Sequence, residues 1–138
     1  MVIFNFSPHV GIGLIKFGMR RPEVRSALAS PCKDFMKSKR SKAATDDFTS
    51  LHLHALYDEN DSCNGVEFFR GADVVLRGQS SLTHAAERVV QALRSFDNGL
   101  VIEDSVVSSA LLRVRLYART LDDDPNEIVE SVFVHPHA

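Results

Sequence analysis

The chain has 138 residues, of which 44% are hydrophobic and 25% charged, and its formal net charge is −2. This length suits a single domain that buries a core without staples, and no apolar run approaches the roughly 20 residues of a membrane-spanning helix. The first six residues lack the basic region and cleavage site of a signal peptide. We therefore expect a cytoplasmic protein in which Cys32 and Cys63 are reduced.

The charge is distributed unevenly along the chain. Between Lys16 and Lys42 there are nine basic and two acidic residues, a net of +7, whereas from Ala43 onward there are seven basic and sixteen acidic residues, a net of −9. Such asymmetry predicts a dipolar surface that steers a charged partner. Two solvated faces that offset each other are the alternative.

The first third of the chain predicts two short strands and a helix. Residues 2–6 and 14–17 are apolar and are separated by Ser-Pro and glycine breaks. A helix is expected over about 21–29, because Pro22 suits its first turn, Glu23 complements the helix dipole and Val24 begins an apolar stripe. Residues 32–47 are polar and basic, and we interpret them as a long loop.

The middle of the chain predicts three strands and the clearest helix. Residues 48–57 alternate in the manner of a strand with Leu53, Ala55 and Tyr57 on one face. Residues 58–65 follow as a hairpin loop, and 66–70 and 73–76 as strands. A second helix is expected over about 81–97, with Ser80 or Ser81 as its cap and an apolar face that extends to Phe96.

Three further strands are predicted at residues 100–104, 110–118 and 128–134, with an acidic loop over 120–126. Short turns between consecutive strands favour antiparallel pairing. The sequence therefore predicts an α+β fold, one domain over residues 1–138, built of mainly antiparallel sheet with two principal helices, at about 21–29 and 81–97.

No motif of a known catalytic or cofactor site is complete. A Gly-x-Ser-x-Gly turn is missing from the sequence. Gly11-x-Gly13 is followed neither by the third glycine of a dinucleotide-binding loop nor by the Lys-Ser/Thr of a phosphate-binding loop. We therefore expect a protein that is not an enzyme and takes no cofactor.

Two binding chemistries stay open as alternatives. His52 and His54 are two residues apart on a predicted strand, which would place both imidazoles on one face, as in some zinc sites. A small-ligand- or metal-binding domain without catalysis is therefore one alternative, but the two histidines are weak metal candidates because no further ligand lies at a typical spacing. The basic segment Lys33–Lys42 could contact phosphates, but its only aromatic residue is Phe35 and the chain is acidic overall, so no nucleic-acid partner is expected.

A stripe of arginine and tyrosine residues alternates with apolar residues in the predicted strand over 110–118. Arg113, Arg115 and Tyr117 share one face in this interpretation. Arginine and tyrosine frequently anchor protein interfaces. The alternative is cross-strand pairing with acidic residues of a neighbouring strand, such as Glu127 or Glu130.

The most patterned segment is Gly11-x-Gly13-x-Ile15-x-x-Gly18-Met19-x-x-x-Glu23-Val24-Arg25. It resembles the start of a group of small bacterial proteins, and the resemblance continues over most of the chain. Further matching segments are 66–69, 74–78, 85–93 and 130–134. Members of this group include proteins similar to the immunity proteins of contact-dependent growth inhibition systems.

The resemblance implies a protein that binds a cognate toxin domain and blocks its active or substrate-binding surface. No membrane partner is expected, and the sequence does not indicate whether the protein self-associates. If the toxin is a basic nuclease, acidic side chains should face it. The acidic candidates are Asp58, Glu59, Asp61, Asp122, Asp123 and Asp124, and the Arg113, Arg115 and Tyr117 stripe is the second candidate surface.

Overall fold

Two antiparallel-rich sheets and two helices make up the fold, which a computed structural model describes for residues 2–118 and 127–136. The predicted α+β class is confirmed. The helices are α1 (Arg21–Leu28) and α2 (Ala86–Arg94). The strands are β1 (Ile3–Ser7), β2 (Gly11–Ile12), β3 (Ile15–Lys16), β4 (Lys33–Phe35), β5 (Thr45–Phe48), β6 (Leu53–Tyr57), β7 (Cys63–Phe69), β8 (Asp73–Leu76), β9 (Gln79–Ser80), β10 (Val101–Glu103), β11 (Val106–Ser109), β12 (Val114–Tyr117) and β13 (Ser131–Val134).

The larger sheet has eight strands in the order β10-β11-β12-β13-β7-β6-β5-β4, and every neighbouring pair is antiparallel. The smaller sheet has the order β3-β2-β1-β8-β9. Its central pair, β1 and β8, is parallel. This parallel pair is possible because the chain between β1 and β8 is long enough to cross over, and it includes four of the eight strands of the larger sheet, β4 to β7.

One face of the larger sheet forms the core. A row of apolar side chains crosses it in register, and each member is at most 1% exposed. The row consists of Val107, Leu116, Val132, Phe68, Leu53 and Phe48. Val24 of α1 and Leu93 of α2 belong to the same core. The ring of Phe4 on β1 lies 4.9 Å from that of Phe68, so the smaller sheet packs on this face too.

Helix α1 matches its prediction closely. It begins at Arg21, and the Glu23 carboxylate accepts a hydrogen bond of 3.1 Å from the Arg20 N–H, one of the donors that a helix start leaves without a partner. It ends before Ala29, whose backbone is left-handed at φ 48°. The sequence features that predict this helix, Pro22, Glu23 and Val24, all lie within it, so local sequence was sufficient to predict it.

Helix α2 is shorter than predicted at both ends. It begins at Ala86, not near residue 81, because the Ser81 N–H and hydroxyl both donate to the Val74 carbonyl on β8, at 2.8 and 2.9 Å. Ser80 belongs to β9, so neither serine caps the helix. Phe96 lies beyond the helix and is 44% exposed. The buried face of the helix itself, formed by Ala86, Val89, Val90 and Leu93, is as predicted.

Predictions for several strands and for one loop also require correction. The predicted loop over 32–47 contains β4 and β5, and the predicted strand over 48–57 is interrupted by a 3-10 turn at Thr49–Leu51. The predicted strand over 110–118 begins as a turn and becomes β12 only at Val114. Strand β11 was not predicted, and the predicted strand over 128–134 is shortened to β13.

Candidate functional site

The outer face of the larger sheet carries polar and aromatic side chains. A row of residues crosses this face in register, and all of them are half-buried or exposed. From β11 to β5 the row consists of Ser108, Arg115, Phe133, Glu67, His54 and Asp47. An antiparallel sheet often leaves one face to solvent in this way, and the kinds of residue on that face then determine what it can bind.

Arginine and aromatic residues gather on this face at the β12–β13 end. Arg115 and Tyr117 of β12 point outward, and the Arg115 Cζ lies 5.9 Å from the centre of the Phe133 ring. Phe133 stacks on His135, with ring centres 5.2 Å apart. The Phe133 ring also covers Gly65 of β7, where a Cβ would come within 2.7 Å of it. The glycine therefore lets the ring lie flat on the sheet.

Arg115 has no acidic neighbour across the strands. It lies opposite Ser108 on β11 and Phe133 on β13, and Tyr117 lies opposite Val106 and Ser131. The cross-strand pairing with acidic residues that the sequence left open is therefore not found at these positions. Arg115 thus forms no ion pair within the described part of the chain.

Arg113 does not continue the predicted stripe. It closes the turn between β11 and β12 with a left-handed backbone at φ 60°. Its N–H donates to the Ser109 carbonyl at 2.9 Å, and its carbonyl accepts from the His135 N–H at 3.1 Å. The Ser109 hydroxyl supports the same turn by accepting from the Leu112 N–H at 3.0 Å. The Arg113 Nε is buried and has no hydrogen-bond partner in the described residues.

Two hollows flank Arg115 on the outer face. The larger, of about 450 Å³, extends from Glu103 and Asp104 at one end to Arg113 and His135 at the other. The smaller, of about 250 Å³, is lined by residues that include Tyr117 and Phe133. Arg115 lines both hollows. We call Arg113, Arg115, Tyr117, Phe133 and His135 the arginine–aromatic cluster.

Strand β10 forms the edge of the sheet beside this cluster. All three of its residues are exposed, including Val101 at 53% and Ile102 at 41%. It pairs with β11 only, and its other side has no strand partner among the described residues. An edge of this kind offers unpaired N–H and C=O groups to another chain, and the exposed apolar side chains add contact area.

The acidic turn between β6 and β7 is largely occupied by internal contacts. The Asp58 Oδ1 accepts from the Asn60 and Ser62 N–H groups at 2.9 and 3.0 Å. Asp61 pairs with Arg21 at 3.0 Å, and this hydrogen bond lowers the pKa of the Asp61 carboxyl. Of the three predicted acidic residues here, Glu59 is 65% exposed and lies 3.7 Å from Lys42. Asp58 and Asp61 therefore serve the fold.

The other acidic candidates, Asp122, Asp123 and Asp124, lie outside the described residues. The structure thus brings Arg113, Arg115 and Tyr117 together at one end of the outer face, and it places the described acidic candidates at the β6–β7 turn. Sequence reasoning missed Phe133 and His135. The alternation with buried Val132 and Val134 could have revealed that these two residues face outward.

The predicted histidine pair does not share a strand face. His52 precedes β6 with a left-handed backbone at φ 58°, and its ring fills the space beside Gly71. The His54 ring lies edge-on to Phe35 and Phe69, at 5.2 and 4.7 Å between ring centres. Residues 2–118 and 127–136 contain no group of three histidine, cysteine or carboxylate side chains arranged to hold a metal ion.

Residues of the basic segment Lys33–Lys42 contact the outer face of the larger sheet. The Lys37 Nζ lies 2.8 Å from the Glu67 carboxylate on the outer face, and the Phe35 ring packs on His54.

Cys32 and Cys63 are free, as predicted. Burial raises the pKa of the Cys63 thiol to about 11, so it stays protonated and unreactive near neutral pH.

No protein-family model, curated protein or solved structure matches this chain. Neither of the two helices in the described ranges is long and apolar enough to cross a membrane. The structural observations that bear on function are therefore those of the outer face.

Proposed function

We propose that this protein binds another protein through the β10–β13 end of the outer face. In this proposal the partner is a cognate toxin domain, and the protein acts in the cytoplasm as an immunity protein that covers the toxin's active or substrate-binding surface. The choice of a toxin domain as the partner rests on the resemblance of residues 11–25 to immunity proteins. The choice of the binding surface rests on the arginine–aromatic cluster.

One observation carries the choice of surface: Arg115, Tyr117 and Phe133 stand together near β10, the edge strand of the larger sheet in the described residues, with β11 between β10 and β12. Arginine and tyrosine are enriched among the residues that dominate binding energy, and aromatic residues are enriched in interface cores. A partner strand could hydrogen-bond to β10 while its side chains contact the cluster, a common mode of recognition. Val101, which lies in register with Ser108 and Arg115 on the outer face, would be buried by the same contact.

The experiment is co-purification with the toxin domain encoded immediately upstream, followed by measurement of the dissociation constant. Wild-type protein should form a complex at micromolar concentration or below. The double variant Arg115→Glu/Tyr117→Ala should weaken it by at least about 100-fold, since two interface anchors are lost. Arg88→Glu is the matched control, because Arg88 lies on the exposed side of α2.

The expected activity readout is rescue of cells that express the toxin. Wild-type protein and Arg88→Glu should rescue growth, and the double variant should not. No complex with the upstream toxin at micromolar concentration would remove the proposed function.

A further inference from the structure

An arginine without a counterion lies at one end of the larger hollow. The Arg113 Nε is buried and has no hydrogen-bond partner in the described ranges. Arg115 lines the same hollow and forms no ion pair there. A buried donor that stays unpaired is rare in folded proteins, because its lost hydration is not replaced. The Arg113 Nε therefore lacks an acceptor among the described residues, and the exposed Arg115 guanidinium lines the same hollow.

The backbone of Arg113 supports the same conclusion. Its φ of 60° lies in the left-handed region, which glycine adopts with less strain than any residue with a Cβ. The Arg113 N–H donates to the Ser109 carbonyl, the Arg113 carbonyl accepts from the His135 N–H, and these two bonds hold the backbone there. Strain of this kind clusters at functional sites, and a binding role for the Arg113 guanidinium agrees with it.

Apolar and polar residues both line the hollow, and its acidic and basic side chains lie toward opposite ends. Glu103 pairs with Val106 at one end of β11, and Ser109 pairs with Val114 at the other end, next to Arg113. Three residues along a strand span roughly 10 Å. An anion at the Arg113 end is thus close to two arginines and separated from the acidic side chains at the far end.

We infer that the Arg113–Arg115 end of the hollow binds a carboxylate, contributed by an acidic side chain of the protein partner. The partner as source rests on the proposed function. A guanidinium presents parallel N–H donors that match the two oxygens of a carboxylate. His135, stacked on Phe133, forms the wall beside Arg113. The inference adds to the proposed function the chemistry of the group that the partner presents.

The first test needs no toxin. Amide chemical shifts of the ¹⁵N-labelled protein are followed during titration with sodium acetate, and then with inorganic phosphate, against sodium chloride at equal ionic strength. Acetate should give saturable shifts at the amides of residues 108–115 and at His135. Arg113→Gly and Arg115→Gln should each weaken acetate binding at least tenfold, and Arg88→Gln should leave it unchanged.

Arg113→Gly separates binding from folding. Glycine relieves the left-handed backbone, so this variant should melt at a higher temperature than the wild type while it loses acetate binding. Arg115→Gln removes the second guanidinium without a change at the turn. Shifts that grow linearly, that chloride reproduces, or that persist in Arg113→Gly would overturn the site.

The second test uses the complex with the toxin domain. Arg113→Gly and Arg115→Gln should each raise its dissociation constant at least tenfold, whereas Arg88→Gln should not. If the complex forms and Arg113→Gly binds with wild-type affinity, the inference fails and the proposed function stands. If acetate binds but no complex forms, the proposed function fails, and the partner's carboxylate is overturned as the occupant.

Discussion

Arg25 donates two hydrogen bonds to the fully buried carboxylate of Asp46, from Nε at 2.9 Å and from Nη2 at 2.7 Å. Arg21 adds a bond of 2.8 Å from Nη1, and the Tyr57 hydroxyl adds one of 2.9 Å. Burial by itself would raise the pKa of Asp46, but the bonds from Arg25 and Tyr57 and the charge of Arg21 lower it overall. The arginines of α1 thus fasten the helix to β5.

Removal of Asp46 should destabilise the protein strongly. Asp46→Ala leaves Arg21, Arg25 and Tyr57 without their shared acceptor, and the loss of one partner from a buried ion pair costs about 3–5 kcal/mol of unfolding free energy. Urea denaturation at pH 7 measures this loss. Asp34→Ala is the control, because its carboxylate lies 3.6 Å from Arg25 and is 64% exposed; it should cost less than about 1 kcal/mol. Equal losses in the two variants would contradict the structural role of Asp46.

His54 should make the protein less stable as the pH falls. Burial, together with the charge of Lys37, lowers the pKa of His54 below its usual 6.5, although Asp47 and Glu67 oppose this. The unfolded chain therefore takes up the proton first, and stability falls as the pH drops from about 7.5 through 6.5 and below. Urea denaturation at pH 7.5 and pH 5.5 should show a larger loss for the wild type than for His54→Phe. Identical losses would show that His54 does not contribute.

Gly11 should be intolerant of a side chain. A Cβ at this position would overlap the Ile15 carbonyl and come within 2.8 Å of the Lys16 Cα. Because β3 backbone must move, Gly11→Ala should cost about 1–3 kcal/mol of unfolding free energy, as other overpacked sites do, and should lie at the upper end. Gly78→Ala is the comparison: it has open space around its Cβ but a φ of 80°, so it should cost roughly 1 kcal/mol from backbone strain alone. A smaller loss for Gly11→Ala than for Gly78→Ala would contradict this account.

The elements that local sequence decides were predictable. Strand β8 has the predicted bounds, Asp73–Leu76, and α1 begins at Arg21 as predicted from Pro22 and Glu23. The errors arise where distant residues decide the local structure. The Ser81 hydroxyl donates a hydrogen bond to the Val74 carbonyl on β8, so Ser81 cannot cap the start of α2. Asp46 makes its segment resemble a loop, and its hydrogen bonds from the two arginines of α1 and from the Tyr57 hydroxyl allow it to be buried in β5.

On the candidate surface, too, the features that depend on local sequence were predictable, and those that depend on distant residues were not. Buried and exposed residues alternate from Leu112 to Tyr117, so the pattern correctly predicts that Arg115 and Tyr117 face outward. The alternation already begins at Leu112 and Arg113, inside the turn at residues 110–113, so the pattern predicts a strand at Arg113 where the structure has a turn. Sequence also cannot show whether a carboxylate is already occupied, and Asp58 and Asp61 are engaged in contacts that only the folded chain creates.

Hydrogen–deuterium exchange of the free protein and of its complex with the upstream toxin domain tests the central claim most directly. The outward-pointing amides of β10 and those of the turn at residues 110–113 should exchange at least tenfold more slowly in the complex, whereas the amides of α2 should be unaffected. Slowed exchange confined to α2 and the smaller sheet, with none across residues 101–117, would contradict the assignment of the outer face as the toxin-binding surface.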